Sequence, residues 1–432
     1  MNSDILRLAK TISQSTQVLD QYAEANEPRM FSLDADAPAR VPINSKEADS
    51  AKMIAISSCM ELIDRLQGPM SCLQPLWNGT SLQAISRFNI ASHVPLDREI
   101  SYQDLSQACG LHASKLKQVI RFAIVHHELF REDRKGYVSH SSNSRVLAQD
   151  AATQAGVDHF DEFYGSFVHA VDAMEQYEGH EPSQTGFSLS KNTNESLFEY
   201  LGARPEKSKK FADAMKYHQS AVPECSPEFL ASGYPWKSLP PGATVVDMGG
   251  SVGHVGRLIA STNPKIQVIV QDLPEVIENA EAKALQTNGT TNGHSGMPVK
   301  FQAHDFFHPQ TLQADVYIFR WIMHDWPDHY VVRILKQLIP SLKAGAKVVL
   351  NESICPESRS LPLSVERYIR WMDIMMLSIN NARLRDEEEW HDLFQEASHG
   401  FGPVRCWTPQ GSALAIIEVE WQGDNLNVKS VI

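Results

Sequence analysis

A chain of 432 residues is longer than one ordinary domain and has material for two or three, each with a sizeable core. Its 42% hydrophobic and 21% charged residues are a globular composition, and a formal net charge of −13 argues against nucleic acid or an anionic membrane as the main partner. No run approaches the roughly 18 apolar residues of a membrane-crossing helix, and Met1-Asn2-Ser3-Asp4 has neither the basic patch nor the apolar stretch of a secretory leader.

The six cysteines (Cys59, Cys72, Cys109, Cys225, Cys355, Cys406) are far apart and form no Cys-x-x-Cys pair. They read as idle thiols of a cytoplasmic protein, with no metal site expected. Residues 1–52 are polar, with Pro, Ala and Asp scattered over Asp34–Pro42, and are expected to form an arm or frayed helix followed by a linker. Helical spacing from Met53 to Leu66 ends at Gly68-Pro69. Next come helices over Ser81–Phe88, from Ser101 (a plausible N-cap) to the break at Gly110, and over Ser114–Leu129. Phe130–Val138 then reads as a hairpin with a charged tip. Helices followed by a hairpin make residues 53–150 a winged-helix-like domain. Only Lys115, Lys117 and Arg121 are basic on the last helix, so a dimerisation or scaffold role is expected in preference to DNA binding.

Residues 151–240 are helical and carry Phe160, Phe163, Tyr164, Phe198, Tyr200, Phe211 and Met215. Such a stripe is either core or the lining of an aromatic substrate pocket, and Met215 is carried forward as a candidate lining residue. After Pro240-Pro241-Gly242 the pattern changes. Strands are expected at Thr244–Met248, Gln267–Gln271, Val299–Gln302, Ala314–Phe319, Ala346–Asn351 and Ala413–Val419, with helices between them including Val255–Ser261, Tyr330–Leu342 and Glu388–Ala397. Alternating β and α units imply an α/β, Rossmann-like doubly wound domain over 241–432. Gln286–Met297 reads as a flexible surface insertion.

In such sheets ligands bind beyond the carboxyl ends of the strands. The first strand runs through Asp247-Met248 into Gly249-Gly250-Ser251-Val252-Gly253, whose spacing does not fit Gly-x-Gly-x-x-Gly and so counts against a dinucleotide. A carboxylate at Asp247 suits the ammonium end of a methionine moiety and suits a pyrophosphate poorly. About 25 residues on, the second strand ends in Asp272, an acid placed to take both hydroxyls of a ribose, and the third ends in His304-Asp305, beside an adenine. Three acids at successive strand ends point to S-adenosylmethionine.

Val246-Asp247-Met248-Gly249-Gly250, Gln271-Asp272-Leu273-Pro274, Asp305-Phe306-Phe307, Arg320-Trp321-Ile322-Met323-His324-Asp325-Trp326 and Asp373-Ile374-Met375-Met376-Leu377 together give the chain its likeness. Over roughly residues 55–420 it resembles the plant and fungal class I small-molecule O-methyltransferases of caffeate, flavonoid and polyketide type. The resemblance implies that Gly249, Gly250, Asp272, His304, Asp305 and Arg320 contact S-adenosylmethionine. It also implies a homodimer built by the winged-helix domain and a small aromatic or polyketide acceptor.

Methyl transfer to a hydroxyl requires positioning and the removal of one proton. A phenol, with a pKa near ~10, is mostly neutral at pH 7, and a neutral histidine can accept its proton. His324 lies just beyond the fourth strand, on the cofactor edge, and is the expected general base. Glu352 ends the next strand on the same edge, and the resemblance implies that it assists the histidine. Family members usually carry a second acid in a Gly-Lys-Glu-Arg segment, whereas this chain reads Asn381-Ala382-Arg383-Leu384-Arg385, with Leu384 in the acid's place. Asp386–Glu389 read as a helix cap, and Asp325 as a structural or cofactor-side carboxylate. Met375 and Met376 are candidates to clamp an aromatic acceptor, with core packing the alternative. The resemblance leaves a further alternative, a pericyclase or dehydratase of the same fold that uses the cofactor electrostatically; a noncatalytic winged-helix regulator is the third.

Overall fold

In the computed structural model, which describes residues 4–38, 43–72, 79–221, 223–287 and 299–423, the chain gathers into two compact units that each draw on several segments. Met1–Gly165, Leu201–His218 and Pro356–Arg370 form the first; Ser166–Tyr200, Gln219–Cys355 and Trp371–Ile432 form the second. The expected consecutive boundaries at 52, 150 and 240 do not coincide with these units. Local periodicity marks where a helix starts, but not which distant segment it packs against.

The first unit opens with a helix, Asp4–Asn26, where an arm or frayed helix was expected. Leu8, Ser15 and Ala23 are buried along it at spacings of seven and eight, which is one helical stripe. That stripe packs on the helix Lys46–Cys72, whose Ala48, Ala51 and Ala55 are small enough to let the two approach closely. Gly68, at φ 73° and outside the helical region, breaks the second helix at the expected place, and a further helical stretch follows the kink. Helices Thr80–Arg87, Tyr102–Cys109 and Ala113–His127 follow. The Ser101 side chain accepts from the Asp104 N–H as an N-cap, and Gly110, at φ 72°, ends the middle helix. The expected hairpin is partly different. Arg131 bridges Ser139 across the charged turn, but the paired strands are β1 (Ile100–Ser101) and β2 (Tyr137–Val138), antiparallel. Ile85, Leu105, Leu116, Ile120, Val138 and Leu147 form the core of this winged-helix-like region.

The second unit is built on a seven-stranded sheet. Its strands are β3 (Thr244–Met248), β4 (Gln267–Asp272), β5 (Lys300–Ala303), β6 (Val316–Arg320), β7 (Lys347–Glu352), β8 (Arg405–Trp407) and β9 (Ala415–Glu420). The order is β5-β4-β3-β6-β7-β9-β8, with the first five mutually parallel and β9 and β8 antiparallel. Alternate residues feed two cores. Val246, Met248, Tyr317, Phe319, Val348 and Leu350 face the helices Asp328–Leu338 and Glu387–Ala397. Val245, Val268, Val316, Ile318 and Val349 face the helix His254–Thr262 and Trp236. Helices on both faces make the sheet doubly wound, and the reversal of strand order between β3 and β6 puts the binding edge at their carboxyl ends. β8, three residues long, has no counterpart among the expected strands, because so short an antiparallel addition leaves no period to read. The expected insertion at 286–297 falls almost wholly on 288–298, outside the described residues. Among the described residues no helix is long and apolar enough to cross a membrane.

Candidate active site

The turn after β3 is shaped around glycine. Gly249 has φ 69°, and a Cβ there would lie 2.6 Å from Ile322 Cδ1; at Gly250 it would lie 2.6 Å from Asp247 Oδ2 and 2.8 Å from Val270 Cγ1. Asp272 secures the turn from β4, accepting from the Ser251 and Leu273 N–H groups, each at 2.8 Å. Asp247 is 2% exposed, and its Oδ2 has no hydrogen-bond partner among the described residues. Burial pushes its carboxyl up to about 7, only partly offset by the Gly256 N–H. Burial also raises Asp272 and lowers His304, whose buried Nε2 is unpartnered as well. Asp305 accepts from the Phe307 N–H at 2.9 Å and pairs with His308 at 3.0 Å.

Arg320, at the end of β6, is buried, donating from Nη1 to Asn351 Oδ1 and from Nη2 to the Cys225 carbonyl, with Nε unpartnered among the described residues. Desolvation lowers its pKa to about 10, against the pull of nearby Glu352 and Asp247, so it stays charged. Trp321 follows at φ 54°, a left-handed conformation costly for a bulky residue, and swings the chain off the strand. The turn Met323–Asp325 is thereby folded back over the end of β7.

There Glu352 is fully buried and organises the turn. Its Oε1 accepts from the Ile322 and Met323 N–H groups at 3.0 Å each, and its Oε2 lies 2.5 Å from His324 Nδ1. With Nδ1–H donated to the carboxylate, His324 presents its Nε2 lone pair as an acceptor. On that side Asp325 Oδ1 lies 3.6 Å from Nε2, steadied by Asn380 Nδ2 at 3.2 Å. Burial pulls the His324 pKa down, but Glu352 and Asp325 outweigh it and raise the value to about 9, so the neutral, proton-accepting ring is the minor form at pH 7 and gains population as pH rises toward 9.

The structure thus brings Asp247, Gly249, Gly250, Asp272, His304, Asp305, Arg320, His324 and Glu352 to the carboxyl edge of one sheet. Met375 and Met376 are buried on the helix Leu363–Asn380 of the same unit. Met215 lies half-buried on the helix Pro205–Ala221 of the other unit. Asp325, read from the sequence as structural or cofactor-side, stands beside the His324 ring. Leu384 is buried where the second acid was sought, its N–H donating to Asp373 Oδ1 at 2.8 Å. Asp386 and Glu389 form the anticipated capping box.

Sequence reasoning missed Asn351, Asn380 and Arg385. Arg385 is fully buried, donates to Asp328 Oδ1 at 2.8 Å and to the carbonyls of Met323 at 3.1 Å and Trp326 at 2.7 Å, and so grips both ends of the turn that carries His324. A buried guanidinium is tolerated only with partners of this kind. The available signal was the unusual Arg383-Leu384-Arg385 run itself.

The O-methyltransferase domain family matches residues 169–401. A grayanic acid biosynthesis cluster O-methyltransferase of Cladonia grayi is 39% identical over 98% of this chain and 89% of its own. The chlorophenol O-methyltransferase of Trichoderma longibrachiatum is 34% identical over 97% of this chain and 90% of its own. The chain belongs to this family. It is an S-adenosylmethionine-dependent O-methyltransferase. Solved structures share the fold: OxaC in complex with SAH and oxaline, 21% identical, superposes with a TM-score of 0.74 over 97% of this chain and all of its own. A pericyclic reaction enzyme, 20% identical, gives 0.68 over 96% of this chain and all of its own, so fold alone does not separate methyl transfer from pericyclic chemistry.

The residues of this methyltransferase fit its cofactor. The Oδ2 of Asp247 and the Nε2 of His304 are buried without partners among the described residues, which is costly unless a ligand supplies them, and the turn at Gly249 and Gly250 leaves no room for a Cβ.

Proposed function

We propose that the enzyme methylates a phenolic or enolic hydroxyl of a small aromatic secondary metabolite, with His324 Nε2 as the general base. The observation that carries this is the bond from His324 Nδ1 to the fully buried Glu352, which fixes the tautomer that can accept a proton. Asp247, Gly249, Gly250, Asp272, His304, Asp305 and Arg320 would hold S-adenosylmethionine, Asp247 toward the ammonium and Asp272 toward the ribose. When bound, the cofactor supplies a sulfonium methyl open to in-line attack. His324 Nε2 takes the acceptor's hydroxyl proton as that oxygen attacks, and Glu352 stabilises the resulting imidazolium. Arg385 and Trp326, with Phe307 and Tyr330 packed on the latter, keep the His324 turn rigid. A relative named for a chlorophenol supports a phenolic acceptor.

The family's homodimer belongs to the same proposal. Ile56, Ile63 and Leu66 stand exposed along one side of the helix Lys46–Cys72 of the first unit, an apolar face suited to a second copy. Among the described residues the thiols Cys59, Cys109, Cys225 and Cys406 stand outside any disulfide, which supports a cytoplasmic setting.

The test is formation of S-adenosylhomocysteine with a panel of chlorophenols and polyphenols. His324→Ala should keep cofactor affinity and lose roughly 10²–10⁴ in turnover. Turnover at the wild-type level would refute the assignment of the base.

A further inference from the structure

Leu384 leaves His324 with one carboxylate where relatives are expected to use two, yet the ring is held from both edges. Glu352 occupies the Nδ1 edge at 2.5 Å, and Asp325 stands at 3.6 Å from Nε2, the nitrogen that must receive the proton. We propose that Asp325 is the second acid of this site, a positioning residue that acts through His324 and compensates for Leu384. The inference rests on His324 being the base.

Three features favour it. The separation of 3.6 Å is too long for a direct hydrogen bond, so the lone pair of Nε2 stays open to the acceptor while the charge of Asp325 remains within reach. The carboxylate is not free to swing away. It follows His324 in the turn clamped by Arg385, and Asn380, itself 1% exposed at the end of the helix Leu363–Asn380, donates to its Oδ1. Other acids nearby are committed elsewhere: Asp373 to the Leu384 N–H, Asp328 to Arg383 and Arg385, and Asp386 and Glu389 to their helix cap.

The charged groups facing the ring are therefore Glu352 from β7, Asp325 from its own turn and Arg385 from the segment after Asn380. When the acceptor's O–H bond breaks and the new N–H bond forms at Nε2, the positive charge appears between two carboxylates. Asp325 takes no proton. Its contribution is to make the imidazolium cheaper to form and to hold the ring plane against Glu352. The same charge keeps His324 more basic than an ordinary histidine, so the acid limb of kcat/KM lies at higher pH than a lone Glu352 would place it.

The experiment is the pH profile of kcat and kcat/KM for wild type, Asp325→Asn and Asp325→Glu, with cofactor affinity measured by calorimetry. Asp325→Asn should move the acid limb down by about one pH unit and lower kcat by about 10–100-fold, with the cofactor Kd within twofold of wild type. Asp325→Glu, which keeps the charge, should retain the limb. A limb unmoved in a folded Asp325→Asn enzyme overturns the proposal, as does Asp325→Glu behaving like the amide. If the amide does not fold, Asp325→Ser is compared with the wild type by imidazole NMR, with the His324 signal assigned by its loss in His324→Ala. A His324 titration about one pH unit below the wild-type value supports the proposal, and an unchanged one overturns it. Full turnover in His324→Ala would instead sink the underlying base, a separable result.

Discussion

Replacing Glu352 by Gln tests the tautomer argument at nearly constant shape. The Gln Oε1 can still accept from the Ile322 and Met323 N–H groups, now at 3.0 Å, so the turn should persist. Its amide nitrogen would stand where Oε2 now lies 2.5 Å from His324 Nδ1, and an amide nitrogen only donates. The ring would then carry its lone pair on Nδ1 and its hydrogen on Nε2, the wrong way round for a base. Loss of a charge-assisted bond to the imidazolium is worth about 1.5–3 kcal/mol, and the reversed tautomer adds to it. An expected fall in kcat of about 10³–10⁴-fold corresponds to about 4–5.5 kcal/mol in all. The acid limb of the remaining activity should also move down, because the strongest opposite charge on His324 has gone. Initial rates of S-adenosylhomocysteine formation across pH 5–10, with calorimetry for cofactor binding, read both effects. A kcat within tenfold of wild type would refute the reasoning, as would loss of cofactor binding in step with activity, since Glu352 would then be a general structural support.

Two further outcomes are expected. The Asp247 carboxyl, ordinarily near 3.8 and raised by burial to about 7, binds its proton more tightly folded than unfolded. Its contribution to stability is therefore fully present below pH 4 and is lost as pH rises through about 7, a cost of about 4 kcal/mol in the cofactor-free enzyme. Asp247→Asn should accordingly raise the Tm of the cofactor-free protein above pH 7 while weakening cofactor binding; an unchanged Tm difference between pH 4 and pH 8 would contradict the buried-charge account. Substituting Ile63 and Leu66 together by Glu should give a folded monomer by light scattering, and a dimer surviving both substitutions would place the interface elsewhere.

What could be read from the chain was the chemistry at strand ends. Asp247, Asp272, Asp305, His324 and Glu352 each close or follow a short apolar run, and parallel strands bring such ends to one edge whatever the loops between them do. The polar first helix was harder, because Leu8, Ser15 and Ala23 make a stripe too thin to stand out from composition. The interleaved units and β8 depend on partners distant in the sequence, which periodicity does not specify. The same holds for the second carboxylate. Asp325 sits beside His324 in sequence, where adjacent side chains ordinarily diverge. Only the left-handed Trp321 and the short turn held by Glu352 and Arg385 bring its carboxylate round to Nε2. Leu384 signals that a carboxylate is missing from its usual place, but the identity of the replacement is a property of backbone geometry. A loss visible in one segment is thus made good by a turn in another, and Arg385, directly beside Leu384, is the residue that ties the two together.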